Sequence, residues 1–304
     1  MTMSTVYDII IIGGGPAGLT AALYARRANK SVLVIEKAAF GGQITFSPKV
    51  ENIPGFQSLS GNEFADRLVE QVLAQGADVE VCEALEIKDG DPKTVVTDGG
   101  DFEGRAVIVA TGAKHRRLGL EREESFIGEG ISFCAVCDGA FYAGKTVAVI
   151  GGGNSALQEA ILLSEQCAKV YVVQNLDTLT GEQKLRDQLA SRPNVEVILG
   201  TVVDELLGDA SLTGIRIRRV ADNSLSELTI DGMFVAIGLI PQNEPFSNVV
   251  PLNSYGYADA DETCLTATAG IFVAGDCRSK KIRQVTTAAA DGAIAALAAC
   301  DYLG

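Results

Sequence analysis

Histidine is almost missing from this chain: the only one in 304 residues is His115. That excludes histidine-rich metal sites and any serine or cysteine triad not built on His115. Positive charge is scarce too, with 25 Lys and Arg against 39 Asp and Glu and a formal net charge of −14. A field of that sign repels nucleic-acid phosphates and anionic lipid, so neither nucleic acid nor a membrane surface is an expected partner. No apolar run approaches the roughly 18 residues of a membrane span. The run at residues 9–12 is too short for a signal peptide and follows Asp8, so no targeting segment is expected and the chain reads as cytoplasmic. A second C-x-x-C is also absent. Of seven cysteines, Cys82, Cys167, Cys264, Cys277 and Cys300 are scattered, and only Cys134 and Cys137 form such a motif. Structural zinc usually takes four ligands, so no metal site is expected, and a lone C-x-x-C in a cytosolic chain reads as redox chemistry. The five scattered cysteines read as small core residues.

What abounds is glycine. The 33 glycines make up about 11% of the chain, against an average of about 7%. The length fits two domains. The glycines organise an internal repeat. Residues 6–12 read as a buried strand, followed by Gly13-Gly14-Gly15-Pro16-Ala17-Gly18, a helix to about Asn29, and a strand over 31–35 ending at Glu36. The same grammar returns later: a strand over 146–150, Gly151-Gly152-Gly153-Asn154-Ser155-Ala156, a helix to about Cys167, and a strand over 169–173 ending at Gln174. In such a turn the first glycine permits the bend, the second admits a pyrophosphate to the backbone, and the third position lets helix and strand pack closely. The helix N-terminus then offers free N–H groups to the phosphates. The chain is therefore expected to be α/β, with two Rossmann-like dinucleotide-binding domains. Glu36 supplies the acid that a ribose needs, whereas Gln174 does not, so the first site is complete and the second is not.

Two further strand–turn segments, residues 107–113 and 270–276, read as neighbours of the first repeat. The second leads into Arg283-Gln284 and an Ala-rich helix over 285–303. The first domain is then discontinuous, 1–113 with 243–304, and residues 114–242 are inserted in it. Hinges are expected near residues 113–118 and 238–243, with His115 a solvated linker residue.

These segments carry a family likeness. Gly13–Gly18 together with Glu36, Gly41-Gly42-Gln43, Glu51-Asn52-Ile53-Pro54-Gly55, Ala110-Thr111-Gly112, Cys134-Ala135-Val136-Cys137-Asp138, the second glycine turn, Gly275-Asp276 and Arg283-Gln284 resemble the low-molecular-weight thioredoxin reductases, in order and nearly end to end. The resemblance implies an FAD domain built from both ends of the chain. Gly13, Gly15 and Gly18 would cradle the pyrophosphate, and Glu36 would hold the adenosine ribose. Gln43 and Asn52 would contact the flavin side, Asp276 the ribityl–phosphate region and Gln284 the ring edge. It implies a catalytic Cys134, Cys137 and Asp138: Cys137 beside the flavin, Cys134 attacking a partner disulfide, Asp138 as acid/base. It also implies a homodimer.

The likeness breaks at one place. The family's second domain carries a His-Arg-Arg run and a further arginine that clamp the 2′-phosphate of NADPH. Here the arginine positions hold Asn175, Leu176 and Thr180. A hydrogen bond to a charged group contributes roughly 1.5–3 kcal/mol, so losing several predicts NADPH binding weaker by orders of magnitude. In this the chain is similar to flavin-dependent ferredoxin:thioredoxin reductases and deeply rooted thioredoxin reductases. Arg278, Lys280, Lys281 and Arg283 crowd one loop, where they either dock an acidic ferredoxin or are cations that NADPH-using members share. The expected function is FAD-dependent reduction of thioredoxin through Cys134/Cys137, with ferredoxin or another non-NADPH donor. The alternatives are an NADH- or NADPH-dependent thioredoxin reductase, or a non-catalytic redox-sensing flavoprotein.

Overall fold

Residues 9–12 are four isoleucines in a row, and a strand apolar on both faces must be covered on both. In the computed structural model, which describes residues 6–47 and 49–304, these isoleucines are 0–4% exposed. They lie in β1 (Val6–Ile12), which leads through a glycine turn into α1 (Pro16–Arg27) and back to β2 (Val32–Glu36), parallel to β1. Next come α2 (Gly61–Ala74), capped by a Ser60–Glu63 capping box, and β3 (Asp78–Val81), parallel to β2. β4 (Ala84–Lys88), β5 (Lys93–Thr97) and β6 (Gly100–Val109) form an antiparallel run, and β6 pairs in parallel with β1. The sheet order is β3-β2-β1-β6-β5-β4.

The chain divides into two compact units. One holds residues through Lys49, Ile53–Lys114 and Ile240–Gly304; the other holds Val50–Asn52 and His115–Leu239. β7 (Ala113–His115) carries the chain out of the first unit. In the second, β8 (Ile131–Ser132) precedes the one-turn α3 (Ala135–Asp138), β9 (Thr146–Ile150), α4 (Asn154–Ser164), β10 (Lys169–Val173), α5 (Gln183–Ala190) and β11 (Val195–Ile198). An antiparallel three-stranded sheet follows, β12 (Thr201–Gly208), β13 (Leu212–Arg219) and β14 (Leu225–Thr229), and then β15 (Gly232–Val235). The parallel sheet of this unit runs β11-β10-β9-β15-β8. β16 (Leu239–Pro241) returns the chain and pairs with β7.

The C-terminal segment completes the first unit. β17 (Ile271–Val273) pairs in parallel with Val107, Ile108 and Val109 of β6, the half of that strand not engaged by β5. α6 (Val285–Leu303) packs on α1, and Gly292 allows the approach because a Cβ there would strike the backbone of Ala17. Both units are α/β with Rossmann-like parallel sheets. Among the described residues no helix is long and apolar enough to cross a membrane.

Candidate active site

Cys134 and Cys137 are joined by a disulfide, their Cα atoms 5.3 Å apart. α3 exists around this pair: Cys134 is its N-cap, and Cys134 Sγ accepts from Cys137 N–H at 3.2 Å. A sulfur in that position is stabilised as the anion, since the free N–H groups of a helix start favour negative charge. Val136, between the cysteines, is 64% exposed, so the turn presents itself to solvent. Asp138 follows directly. Its Oδ2 accepts from Ser132 Oγ at 2.6 Å, and Ser132 Oγ in turn accepts from Cys134 N–H at 3.1 Å. Asp138 Oδ1 is buried without a hydrogen-bond partner, and burial pushes this carboxyl above the usual carboxylate range despite the Ser132 bond. Asn52 Nδ2 stands 3.9 Å from Cys137 Sγ.

The two glycine turns share one geometry. Gly13 and Gly151 have φ of +114° and +132°, where a side chain would be strained and would strike the backbone of Ala110 or Ala236. Gly15 and Gly153 are helix N-caps with nearly equal angles, and a Cβ at either would have no neighbour closer than 3.9 Å. That leaves room over both helix starts. Gly18 lets α1 close on its turn, because a Cβ there would collide with Gly13 O. The strand ends differ. Glu36 Oε2 accepts from Gly14 N–H at 2.8 Å and Oε1 from Ala38 N–H at 3.1 Å, so the carboxylate is fixed beside the turn. Gln174 is buried against Gly152 and donates to Thr178 O at 3.3 Å, while Asn175, Leu176 and Thr180 are exposed. Thr180 N–H and Gly181 N–H both donate to Gly152 O, which stitches this loop onto the second turn.

The pyridine nucleotide-disulphide oxidoreductase family model matches residues 7–292. Thioredoxin reductase of Listeria monocytogenes is 40% identical over 300 residues, covering 98% of this chain and 94% of that protein. A protein of Clostridium pasteurianum described as a 34.2 kDa protein in the rubredoxin operon is 41% identical, with 98% and 97% covered. The crystal structure of thioredoxin reductase from Streptococcus pyogenes MGAS5005 superposes with a TM-score of 0.94 at 39% identity, covering 98% of each chain. The chain belongs to the low-molecular-weight thioredoxin reductases of this family. It is a flavin-dependent disulfide oxidoreductase, and FAD is its cofactor.

For a member of that family, the first unit offers a fitting cradle. Asp276 is the middle residue of the turn Gly275–Cys277 after β17, with Oδ1 buried and unpartnered, and burial raises its carboxyl to about 6 against the pull of Lys280 and Arg283. An orphaned buried acceptor is what a hydroxyl-bearing ligand would satisfy. Gln284 is the N-cap of α6, its N–H donating to Thr287 Oγ1 at 3.1 Å. Gln43 lies exposed in the turn Gly42–Phe46.

Three expectations need correction. The cationic loop is not a free patch: Arg278 and Lys280 side chains are only 1% and 5% exposed, both bonded to buried Asp291 at 2.8 Å. Arg283 stacks over Tyr257 at 4.3 Å. Two of the four cations are therefore consumed by one buried carboxylate, a partner 13 residues downstream of Arg278. His115 is no solvated linker residue either. Its ring stacks on Phe133 at 4.7 Å, Arg117 also approaches that ring at 5.0 Å, and burial with the Arg117 charge lowers the imidazole to about 4. Of the five scattered cysteines, Cys167, Cys264 and Cys277 are buried, but Cys82 and Cys300 are partly exposed. Sequence reasoning also passed over Ser132, whose spacing from Asp138 gave no motif, and Asp291, an acid in an otherwise Ala-rich helix.

Proposed function

We propose that the chain reduces the disulfide of thioredoxin or a thioredoxin-like protein through Cys134 and Cys137, and that its electron donor is a one-electron carrier such as ferredoxin rather than NADPH. In this reading Gly13, Gly15 and Gly18 hold the FAD pyrophosphate at the start of α1, Glu36 the adenosine ribose, and Asp276 the ribityl–phosphate region. Gln43, Asn52 and Gln284 meet the flavin side. Residues 1–113 and 243–304 form this FAD domain and 114–242 the redox domain. FAD, when bound, supplies a two-electron store between donor and disulfide. The chain's own residues do the exchange. Cys137 N–H steadies a thiolate on Cys134; a thiolate of the reduced pair attacks the partner disulfide, forming one S–S bond as the partner's breaks. Asp138, whose burial favours the protonated carboxyl, is placed to give a proton to the departing partner thiolate. The second cysteine then closes the Cys134–Cys137 bond and frees the second partner sulfur, leaving the partner as a dithiol.

The donor assignment rests on the loop after β10. Leu176 is 48% exposed and Asn175 and Thr180 are neutral, so no cation stands at the positions where the family's clamp would sit. The intact second glycine turn, with open space at Gly153, favours the alternative of an NADPH- or NADH-dependent enzyme. An anaerobic titration decides between them. Reduced ferredoxin should bleach the flavin absorbance readily and millimolar NADPH slowly or not at all; fast bleaching by micromolar NADPH would refute the donor reading.

A further inference from the structure

We propose that Asn243 and Asp291 are positioning residues for Asp276, gripping its turn from both flanks so that one carboxylate oxygen stays fixed and unpaired for FAD. The inference rests on the reading that Asp276 meets the hydroxyl-bearing part of that cofactor. All the residues involved belong to the first unit. Asp276 is the middle of the three-residue turn Gly275–Cys277, between β17 and the loop that leads to α6. On one flank, Gly275 N–H donates to Asp291 Oδ2 on α6 at 3.0 Å. On the other, Cys277 C=O accepts from Asn243 Nδ2 at 2.7 Å and from Ala258 N–H at 3.0 Å. Gly275 has φ of +82°, and a Cβ there would come within 2.8 Å of Ala17 Cβ, so α1 closes a third side.

Both braces are fully engaged by protein. Asn243 is buried; its Oδ1 accepts from Thr111 Oγ1 at 3.1 Å, and its amide donates to Gly256 O at 3.0 Å as well as to Cys277 O. Asp291 is buried too. Besides Gly275 N–H it accepts from Arg278 Nε at 2.8 Å, Arg278 Nη2 at 3.0 Å and Lys280 Nζ at 2.8 Å. Arg278 and Lys280 are thus spent on Asp291, and Arg283 Nε donates to the backbone carbonyl of Asp276 at 3.4 Å. Between these satisfied groups, Asp276 Oδ1 is buried with no hydrogen-bond partner among the described residues. Buried acceptors nearly always have one, so the contrast marks this oxygen as the acceptor kept for a ligand hydroxyl. Such an oxygen recognises a hydroxyl well only when supporting bonds lock its position. Here the locks come from side chains 34 residues from Cys277 and 16 from Gly275, so the turn does not depend on its own short sequence for its shape.

The test is a double-mutant cycle on FAD affinity. The full chain is loaded with FAD and diluted in steps, free flavin being read by its fluorescence. Asn243→Ser removes the amide that donates to Cys277 O, and Asp291→Asn removes the charge that holds Arg278 and Lys280. Each should weaken FAD binding about tenfold or more in the chain that has Asp276, the equivalent of roughly one hydrogen bond. In the Asp276→Ala background each should weaken it no more than about threefold, because residues that act through one partner are not additive. A residue needed only for folding would weaken both backgrounds alike. Equal losses in the two backgrounds, or no loss with Asp276 present, overturn the proposal. If Asp291→Asn does not fold, its two buried cations having lost their counter-charge, the Asn243 comparison alone decides. An Asp276→Ala chain that binds FAD as tightly as the unaltered protein overturns the reading of Asp276 itself, and this inference with it.

Discussion

Glu36 stands at the end of β2 with both carboxylate oxygens already engaged, one by Gly14 N–H and one by Ala38 N–H. It is oriented before any ligand arrives, which is the condition for strong recognition of a hydroxyl pair. Glu36→Ala should weaken FAD binding by roughly 10- to 100-fold, the equivalent of about one hydrogen bond to a charged group. Titrating the apoprotein with FAD and following flavin fluorescence measures it. His115 offers a second residue-scale test, since a lone imidazole gives a single readable resonance. Its pKa of about 4 lies below the ordinary 6.5, so the folded state holds fewer protons than the unfolded chain between those values. Stability from this group is full above pH 6.5 and is lost as pH falls toward 4, on the order of 3 kcal/mol in all. The His115 resonance should stay in its neutral position at pH 5, and His115→Phe should flatten the acid limb of the urea-midpoint profile. Resonance movement centred near pH 6.5 would contradict the buried stack. At this scale the sequence spoke unevenly. Glu36 and the cysteine pair sit inside local motifs and could be read directly. Ser132 and Asp291 act through neighbours set by packing, and nothing within a few residues of them announces it.

Elements were easier to read where a single turn dictates them. Both strand–glycine–helix units were legible because a positive φ at Gly13 and Gly151 is a local requirement that only glycine meets cheaply. The helices end earlier than periodicity suggested, at Arg27 and Ser164 rather than near Asn29 and Cys167. In the first, Asn29 takes φ of +58° and turns the chain toward β2. The sheet β12-β13-β14 left no distinctive mark, as its short alternating strands resemble many solvent-facing segments. The loop after β10 is the element on which the donor question turns. Placing arginine at Asn175, Leu176 and Thr180 together should raise the rate of flavin bleaching by NADPH at least tenfold, seen by anaerobic stopped-flow absorbance. An unchanged rate in a variant that still binds FAD would show that the clamp positions are not what limits NADPH.

For the molecule as a whole, charge dominates encounter. At −14, with Arg278 and Lys280 paired inside, the surface has little to steer an acidic carrier toward it. Raising ionic strength from about 10 mM to 150 mM shortens the screening length from roughly 30 to 8 Å. Reduction by an acidic ferredoxin should therefore hold steady or quicken over that range; a marked slowing would mean that a cationic dock exists after all.

The pairing of β17 with β6 also bears on how the protein is made. A ribosome delivers every strand of the second unit before residues 271–273 emerge, so that unit can be complete while the first still lacks its last strand. Until then Val107, Ile108 and Val109, all 0% exposed in the finished protein, present an open apolar strand edge. The interval of greatest aggregation risk thus falls late in translation, and it closes only when the strand at residues 271–273 folds back onto β6.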